Sequence, residues 1–124
     1  MSEVYESNAT LEQIAARLKS VESVLVTTHA KPDGDAMGST VALALALQSL
    51  GKQVEARLMP PVPTSLSFLT NLHPVVVHEG DSAKHIKQPE CVIVVDTGAW
   101  SQLEPLHDWL AAQHDRAIVI DHHL

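Results

Sequence analysis

Three short apolar runs, each followed closely by side chains that can bind metal ions, constrain this chain more than any other feature. The runs cover residues 24–28, Cys91–Val95 and Ala117–Ile120, and they are rich in Val and Ile with little polar alternation. Such runs are typical of strands that are buried on both faces of a parallel sheet. Because the carboxyl ends of parallel strands lie along one edge, the polar residues that follow the three runs are expected to meet there.

Helical and strand-like segments alternate along the chain. The apolar spacing predicts helices over 11–21, 36–50 and from Ser101 or Glu104 to His114, weaker helical segments over 64–72 and 81–87, and strands over 24–28, Gln53–Leu58, 74–78, 91–96 and 117–121. A capping box at 10–13 is expected to begin the first helix, and Gly51 is expected to end the second. The second helix is apolar nearly all round, which predicts burial on more than one side. The alternation predicts an α/β fold: a doubly wound, mainly parallel five-stranded sheet with helices on both faces.

The composition limits the partners of this chain. Its 124 residues form one domain, and the formal net charge is −7 with no cluster of Lys or Arg. This balance argues against binding of a long nucleic acid or an anionic membrane, whereas a bound cation could still attract a small anionic substrate. Cys91 is the single cysteine, so no internal disulfide can form. No apolar run resembles a signal peptide or a membrane span, and a cytoplasmic protein is expected.

The first candidate site residues follow the first apolar run. His29 comes directly after it, and Asp33 and Asp35 lie in the next loop. Their two-residue spacing lets the two carboxylates point toward neighbouring sites. In the simpler alternative, this is a strand-to-helix turn in which Asp35 only caps the helix. A calcium loop is not favoured, because the fifth and twelfth positions of an EF-hand would hold Met and Ala.

The other candidates follow the later runs. Asp96 comes after one of them, and Asp121, His122 and His123 come after the last. Adjacent histidines point in different directions, so one can bind a metal ion while the other faces a substrate. Asp96 could instead cap a loop, and the last three residues could be a polar tail. Mixed carboxylate and imidazole ligands suit Mn²⁺, Fe²⁺, Co²⁺ or Zn²⁺. Their number suggests two ions about 3.5–4 Å apart, which could bridge and deprotonate a water that attacks a phosphoryl group.

Together these segments resemble the DHH phosphoesterase family. The motifs are HAKPDGDAMGS at 29–39, VVD at 94–96 and DHH at 121–123, while LGK at 50–52 and PTSLSFL at 63–69 are similar to the branch of bifunctional oligoribonucleases and 3′-phosphoadenosine 5′-phosphate phosphatases. The resemblance implies the N-terminal catalytic domain of a manganese-dependent phosphoesterase that acts on a small nucleotide or a short oligonucleotide. Cyclic dinucleotide phosphodiesterase, pyrophosphatase, exopolyphosphatase and single-strand exonuclease are alternatives within the superfamily. A non-catalytic nucleotide- or metal-binding module is the alternative outside it.

The resemblance also implies the roles of individual residues. His29, Asp33 and Asp96 would hold one divalent ion, most simply Mn²⁺. Asp35 and His122 would hold a second ion, with Asp96 as the bridge between the two.

Three further residues would lie around the two ions. His123 would face the substrate phosphate and act in catalysis with Asp96, Lys31 would contact the phosphate, and Asp121 would orient the two histidines from outside the metal shell. Relatives carry a further Asp ligand in a fourth motif and a C-terminal substrate-binding domain, neither of which is in this sequence. Residues 1–124 are therefore interpreted as part of a longer protein, and this part alone need not be active. The sequence leaves a homodimer open.

Overall fold

Five parallel strands form the centre of the molecule in the part of the chain that the computed structural model describes, residues 7–97, 100–104 and 106–122. The strands are β1 (Ser23–Thr27), β2 (Gln53–Leu58), β3 (Val75–Val77), β4 (Cys91–Val95) and β5 (Ala117–Ile120). The α-helices are α1 (Leu11–Ser20), α2 (Gly34–Ser49) and α3 (His107–Ala112), and the 3₁₀ helices are Thr64–Asn71, Gly80–His85, Trp100–Leu103 and His114–Arg116. The strand order is β3-β2-β1-β4-β5, and every pair is parallel. The predicted five-stranded α/β fold is confirmed.

Both faces of the sheet are covered, because side chains alternate between the faces along each strand. On one face, residues of β1 and β4 pack against α2 and the end of α1; this cluster comprises Val21, Val24, Val26, Leu47, Cys91, Ile93 and Val95. On the other face, Leu25, Val92 and Val94 pack beneath the α3 region with Leu103, Leu106 and Leu110. Each fully buried aliphatic side chain of this kind contributes about 1.5–3 kcal/mol relative to its exposed state. The prediction of helices on both faces is therefore confirmed.

The connections place a crevice between β1 and β4. The chain leaves β1 through α2 and returns to β2 on one side, whereas it leaves β4 through α3 and returns to β5 on the other side. The strand order reverses between β1 and β4. In open α/β sheets, ligands bind outside the carboxyl ends of the strands at such a reversal. The residues that follow β1 and β4 therefore lie where this topology places a site.

The helix ends show which sequence signals were correct. The capping box of α1 is present, since Thr10 Oγ1 accepts from the N–H of Gln13 and the Gln13 side chain accepts from the N–H of Thr10. Gly51 has a φ of +84° after the end of α2, as expected. The second helix begins at Gly34, earlier than predicted, because Asp33 is its N-cap. The alternative in which Asp35 caps this helix is wrong.

Two helical predictions differ from the structure. A single helix was expected up to His114, but this region holds the 3₁₀ helix Trp100–Leu103 and the short α3. Pro105, which lies outside the described residues, has no backbone N–H to continue a helical hydrogen-bond series. The second helix buries one stripe of side chains, whereas Ala42, Leu45 and Ala46 on its opposite side are exposed, so the prediction of burial on more than one side is wrong.

Within the described residues, no helix has the length and apolar character needed to cross a membrane.

Candidate metal centre

Two residues that follow the central strands form the middle of the candidate site. His29 follows β1 after Thr28, and Asp96 directly follows β4. The two strands pair in parallel, with Thr27 opposite Val94. This pairing brings His29 Nε2 to 3.4 Å from Asp96 Oδ2. The side chain of His29 is 14% exposed and that of Asp96 is 5% exposed, so both lie largely out of bulk water.

Asp33 adds a third side chain from the N-terminus of α2. Its Oδ1 lies 3.9 Å from His29 Nε2. One candidate ligand atom from each of His29, Asp33 and Asp96 lies within 4.8 Å of the others. Two ligands that bind one ion at about 2.0–2.2 Å each can lie up to about 4.4 Å apart. Small side-chain rotations therefore suffice for these three residues to share one divalent ion.

The hydrogen bond of His29 fixes which ring nitrogen can bind an ion. His29 Nδ1 lies 2.8 Å from the backbone oxygen of Ala30. A carbonyl oxygen only accepts, so Nδ1 carries a proton, and in the neutral ring Nε2 is then the nitrogen with the lone pair. The Nε2 atom is the one that lies near Asp33 and Asp96. The ring is therefore held in the tautomer that a metal site needs.

His122 reaches the other side of the Asp96 carboxylate. Its Nε2 lies 2.6 Å from Asp96 Oδ1, whereas His29 lies against Oδ2. The backbone supports this arrangement, because the N–H of Asp96 donates to the oxygen of Ile120 at 2.9 Å. That bond extends the β4–β5 pairing to the residues that carry the site. Asp96 thus contacts one imidazole through each of its two oxygens.

Two residues near the site have a left-handed backbone. The φ of Asp96 is +67° and the φ of Lys31 is +54°. Asp tolerates this conformation better than most residues, and such positions concentrate at functional sites. The turn at Asp96 directs its side chain toward the crevice between β1 and β4.

Three other predicted site residues, all exposed, lie outside the candidate metal group. Asp35 is exposed in the first turn of α2, Asp121 is exposed just after β5, and Lys31 is exposed in the loop before α2. Their proposed contacts with a second ion or a phosphate stay predictions. His123 lies outside the described residues, and its predicted role also stays a prediction.

Three polar residues outside the predicted set support the site. Thr28 and Gln102 make hydrogen bonds between the segments that carry His29 and Asp96, and Thr97 bonds to Gln102 within the second segment. Thr28 and Thr97 each stand beside a candidate ligand in the sequence, and this adjacency was the available signal. Gln102 follows Asp96 in the same connection, and only the fold brings it against the loop of His29.

Comparison with known proteins identifies the family. The profile of the DHH family, N-terminal domain, matches residues 23–124. This chain belongs to the DHH family. The family resemblance drawn from the three motifs is therefore confirmed, and the His29, Asp33 and Asp96 group lies within the matched region of this DHH domain.

Two curated relatives of this DHH domain are named as bifunctional oligoribonuclease and PAP phosphatase, one of them as a probable one. The bifunctional oligoribonuclease and PAP phosphatase NrnA of Thermus thermophilus is 46% identical over 57 residues, which are 45% of this chain and 17% of the relative. The probable bifunctional oligoribonuclease and PAP phosphatase NrnA of Streptococcus mutans is 30% identical over a region that covers 89% of this chain and 32% of the relative. An uncharacterized protein of Methanocaldococcus jannaschii is 32% identical over 82% of this chain and 30% of its own length. The DHH domain thus spans at most about a third of these relatives.

A solved structure shares the fold of this DHH domain. It is an exopolyphosphatase-related protein from Bacteroides fragilis, with a TM-score of 0.76 and 24% sequence identity. The match covers 91% of this chain and 34% of that protein. This likeness supports the fold.

Proposed function

We propose that this chain is the metal-binding domain of a phosphoesterase that hydrolyses phosphate esters of small nucleotides or short oligonucleotides. The observation that carries the proposal is the meeting of His29, Asp33 and Asp96 at the crevice between β1 and β4, with His122 on the other oxygen of Asp96. Membership in the DHH family supports the same chemistry.

Two divalent ions belong to this proposal, and the grouped donor atoms of His29, Asp33 and Asp96 support the first of them. His29, Asp33 and Asp96 would hold one ion, and His122 and Asp35 would hold a second ion with Asp96 between the two. Imidazole together with carboxylate favours Mn²⁺, Fe²⁺, Co²⁺ or Zn²⁺ over Ca²⁺, and Mn²⁺ is our proposal. When bound, the ions would supply an activated water and positive charge for the phosphoryl oxygens.

Backbone and side-chain groups of the domain would prepare this site in three ways. The Ala30 carbonyl holds the His29 ring with Nε2 toward the ion position. The burial of Asp96 excludes water from its carboxylate, which strengthens its interaction with cations. Lys31 and His123 would bind and orient the substrate phosphate, and Asp121 would orient the His pair.

The substrate class is proposed from the relatives and from charge. Two relatives carry the name bifunctional oligoribonuclease and PAP phosphatase. A formal net charge of −7 argues against a long polyanion on this domain, whereas a short substrate needs only the local charge of bound cations. A cytoplasmic location belongs to the same proposal, since the single cysteine, Cys91, is a buried free thiol.

The test measures ion binding first and hydrolysis second. Asp96→Asn keeps the left-handed backbone that Asn tolerates and removes the charge. We expect Mn²⁺ titration by calorimetry to show binding to the native domain and a loss of at least about tenfold in affinity for Asp96→Asn. The control is His107→Ala, which alters a half-buried side chain of α3 outside the candidate metal group.

Hydrolysis is then assayed in the full-length protein with Mn²⁺. The substrates are 3′-phosphoadenosine 5′-phosphate, a dinucleotide, a cyclic dinucleotide, pyrophosphate, polyphosphate and single-stranded DNA. Turnover of the first two would support the proposed substrates, and turnover of one of the others alone would replace them. Nucleotide binding without turnover of any substrate, or full activity of Asp96→Asn, would contradict the proposed phosphoesterase.

A further inference from the structure

Gln102 lies in the connection between β4 and α3 that begins with Asp96, and it contacts the loop that carries His29. Its backbone oxygen accepts from the N–H of Ala30 at 2.7 Å, next to His29. Its side-chain Oε1 accepts from the hydroxyl of Thr97, next to Asp96. Gln102 itself lies in the 3₁₀ helix Trp100–Leu103 and belongs to neither strand. One residue thus contacts the immediate neighbour of each ligand.

These contacts lie beyond the last paired residues of β1 and β4. The paired residues of β1 and β4 end at Thr27 and Val94. Beyond them, the hydroxyl of Thr28 donates to the oxygen of Val95 at 2.7 Å, and Gln102 makes the next contacts outward. A metal site needs its ligands held to within about 0.5 Å by the residues around them. The bonds made by Thr28 and Gln102 therefore add to the bond between Asp96 and Ile120 in holding the two loops.

We infer that Gln102 is a positioning residue of the metal site. It holds the His29 loop at a fixed distance from the Asp96 loop, without touching an ion or the substrate. The inference rests on the proposed metal site and adds a residue that the ligand set does not include. The sequence requirement lies in the side chain, because any residue at this position supplies the backbone oxygen that Ala30 uses.

The side-chain contact can be removed without the backbone contact. Gln102→Ala keeps the bond to Ala30 and loses the bond to Thr97. Thr97→Val removes the same bond from its other side and keeps the shape of the side chain. Gln102→Glu keeps an oxygen that can accept from the Thr97 hydroxyl and serves as the conservative variant.

A matched control comes from a second amide contact in this domain. Gln88 Nε2 donates to Gln113 Oε1 at 2.7 Å, between the segment before β4 and the end of α3. Neither residue belongs to the candidate metal group. Gln88→Ala therefore removes a similar side-chain hydrogen bond away from the site.

The experiment measures the dissociation constant of Mn²⁺ by calorimetry, the electron paramagnetic resonance spectrum of bound Mn²⁺, and the melting temperature of the metal-free domain. We expect Gln102→Ala and Thr97→Val each to raise the dissociation constant about tenfold or more and to change the Mn²⁺ spectrum. Gln102→Glu should restore most of the affinity. Gln88→Ala should lower the melting temperature of the metal-free domain as much as Gln102→Ala does, with no change in Mn²⁺ affinity.

The outcomes separate the two proposals. If the native domain binds no Mn²⁺, the proposed metal site is wrong. If the native domain binds Mn²⁺ and Gln102→Ala binds it equally well, the site stands and the role of Gln102 is overturned. If Gln102→Ala does not fold, Thr97→Val decides. The double variant should lose less affinity than the sum of the single variants, because both remove one bond; additive losses would contradict the inference.

Discussion

The carboxylate of Asp33 makes two interactions at once. Its Oδ1 accepts a hydrogen bond from the N–H of Ala36 at 2.9 Å, which caps α2. The same atom lies 3.9 Å from His29 Nε2, in the candidate metal group. An N-cap needs only an acceptor for a backbone N–H that has no partner within the helix. A metal ligand needs the charge as well, so substitution can separate the two roles.

We expect Asp33→Ala and Asp33→Ser to differ in stability but not in ion binding. Asp33→Ala should lower the free energy of unfolding by about 1 kcal/mol, because it removes the cap, whereas Asp33→Ser keeps an acceptor and should lose only a few tenths. Both variants should bind Mn²⁺ more weakly than the native domain. Urea unfolding without metal and Mn²⁺ titration measure the two effects. A Ser variant with native Mn²⁺ affinity would remove Asp33 from the ligand set.

The same residue shows why the start of α2 could not be predicted to the residue. Asp33 and Asp35 are both favoured N-caps, and the sequence pattern does not choose between them. The structure uses Asp33, in a loop that also contacts a residue far along the chain, since the N–H of Ala30 donates to the backbone oxygen of Gln102. Non-local contacts of this kind are absent from a local pattern.

At the scale of the elements, replacing either of two glycines of the α2 region with Ala should change the stability of the domain, in opposite directions. Gly51 has a φ of +84°, and its N–H donates to the backbone oxygen of Gln48 at 2.9 Å, as in the Schellman motif that ends many helices. An added Cβ at Gly51 or Gly38 would meet nothing within 4 Å, so sterics do not decide. Gly51→Ala should destabilise the domain by about 1–2 kcal/mol through its left-handed backbone. Gly38→Ala, inside the helix, should stabilise it by about 0.5–1 kcal/mol.

Chemical denaturation of the two glycine variants gives both values under one set of conditions. Each variant serves as the control for the other, since both add one methyl group to the same part of the chain. Equal effects of the two substitutions would show that backbone conformation is not the cause.

The elements themselves were largely predictable where one local signal decides. β2 has the predicted bounds, Gln53–Leu58, and the capping box of α1 is present as expected. The segments around Thr64–Asn71 and Gly80–His85 were expected to be weakly helical, and they form 3₁₀ helices. Short 3₁₀ segments depend on their packing against neighbouring elements more than on apolar spacing. The pattern therefore located them but not their hydrogen-bond type.

A buried polar group joins β2 to the end of β3 and should make stability depend on pH. Arg57 Nη1 lies 2.9 Å from His78 Nδ1, and Arg57 Nε donates to Glu55 at 2.8 Å. A guanidinium only donates, so His78 Nδ1 is the acceptor and the ring is neutral. Burial, and then the positive charge of Arg57, lower the pKa of His78 below its ordinary value of about 6.5.

The sign of the pH effect follows from this pKa shift. Below pH about 6.5, the unfolded chain protonates His78 more readily than the folded domain does, so the free energy of unfolding falls as the pH drops. Above that pH, His78 is neutral in both the folded and the unfolded state, and it makes its full contribution to the free energy of unfolding. The stability difference between the native domain and His78→Gln should therefore shrink from pH 8 to pH 5.5. Urea unfolding at both pH values measures it, and a difference that stays constant would contradict the pKa shift.

The whole molecule is acidic, and its candidate site gathers part of that charge at one edge. The formal net charge is −7, and Asp33 and Asp96 lie in the candidate metal group at the carboxyl ends of the strands. Asp35 and Asp121 come after the carboxyl ends of β1 and β5, at the same edge of the sheet. Carboxylates placed together repel one another, and bound cations reduce that repulsion. Ion binding should therefore stabilise the whole fold as well as prepare the site.

We expect Mn²⁺ to raise the free energy of unfolding of the native domain by about 2.7 kcal/mol when its free concentration is 100 times its dissociation constant, because only the folded chain assembles the three ligands. Asp96→Asn should show little of this increase, and Ca²⁺ at the same concentration should give less than Mn²⁺, since imidazole donors do not suit it. Thermal unfolding with and without each ion measures the effect, and NaCl at matched ionic strength controls for screening. If Mn²⁺ stabilised the native domain and Asp96→Asn equally, the ion would be acting on the overall negative charge, and the meeting of His29, Asp33 and Asp96 would not be a specific site.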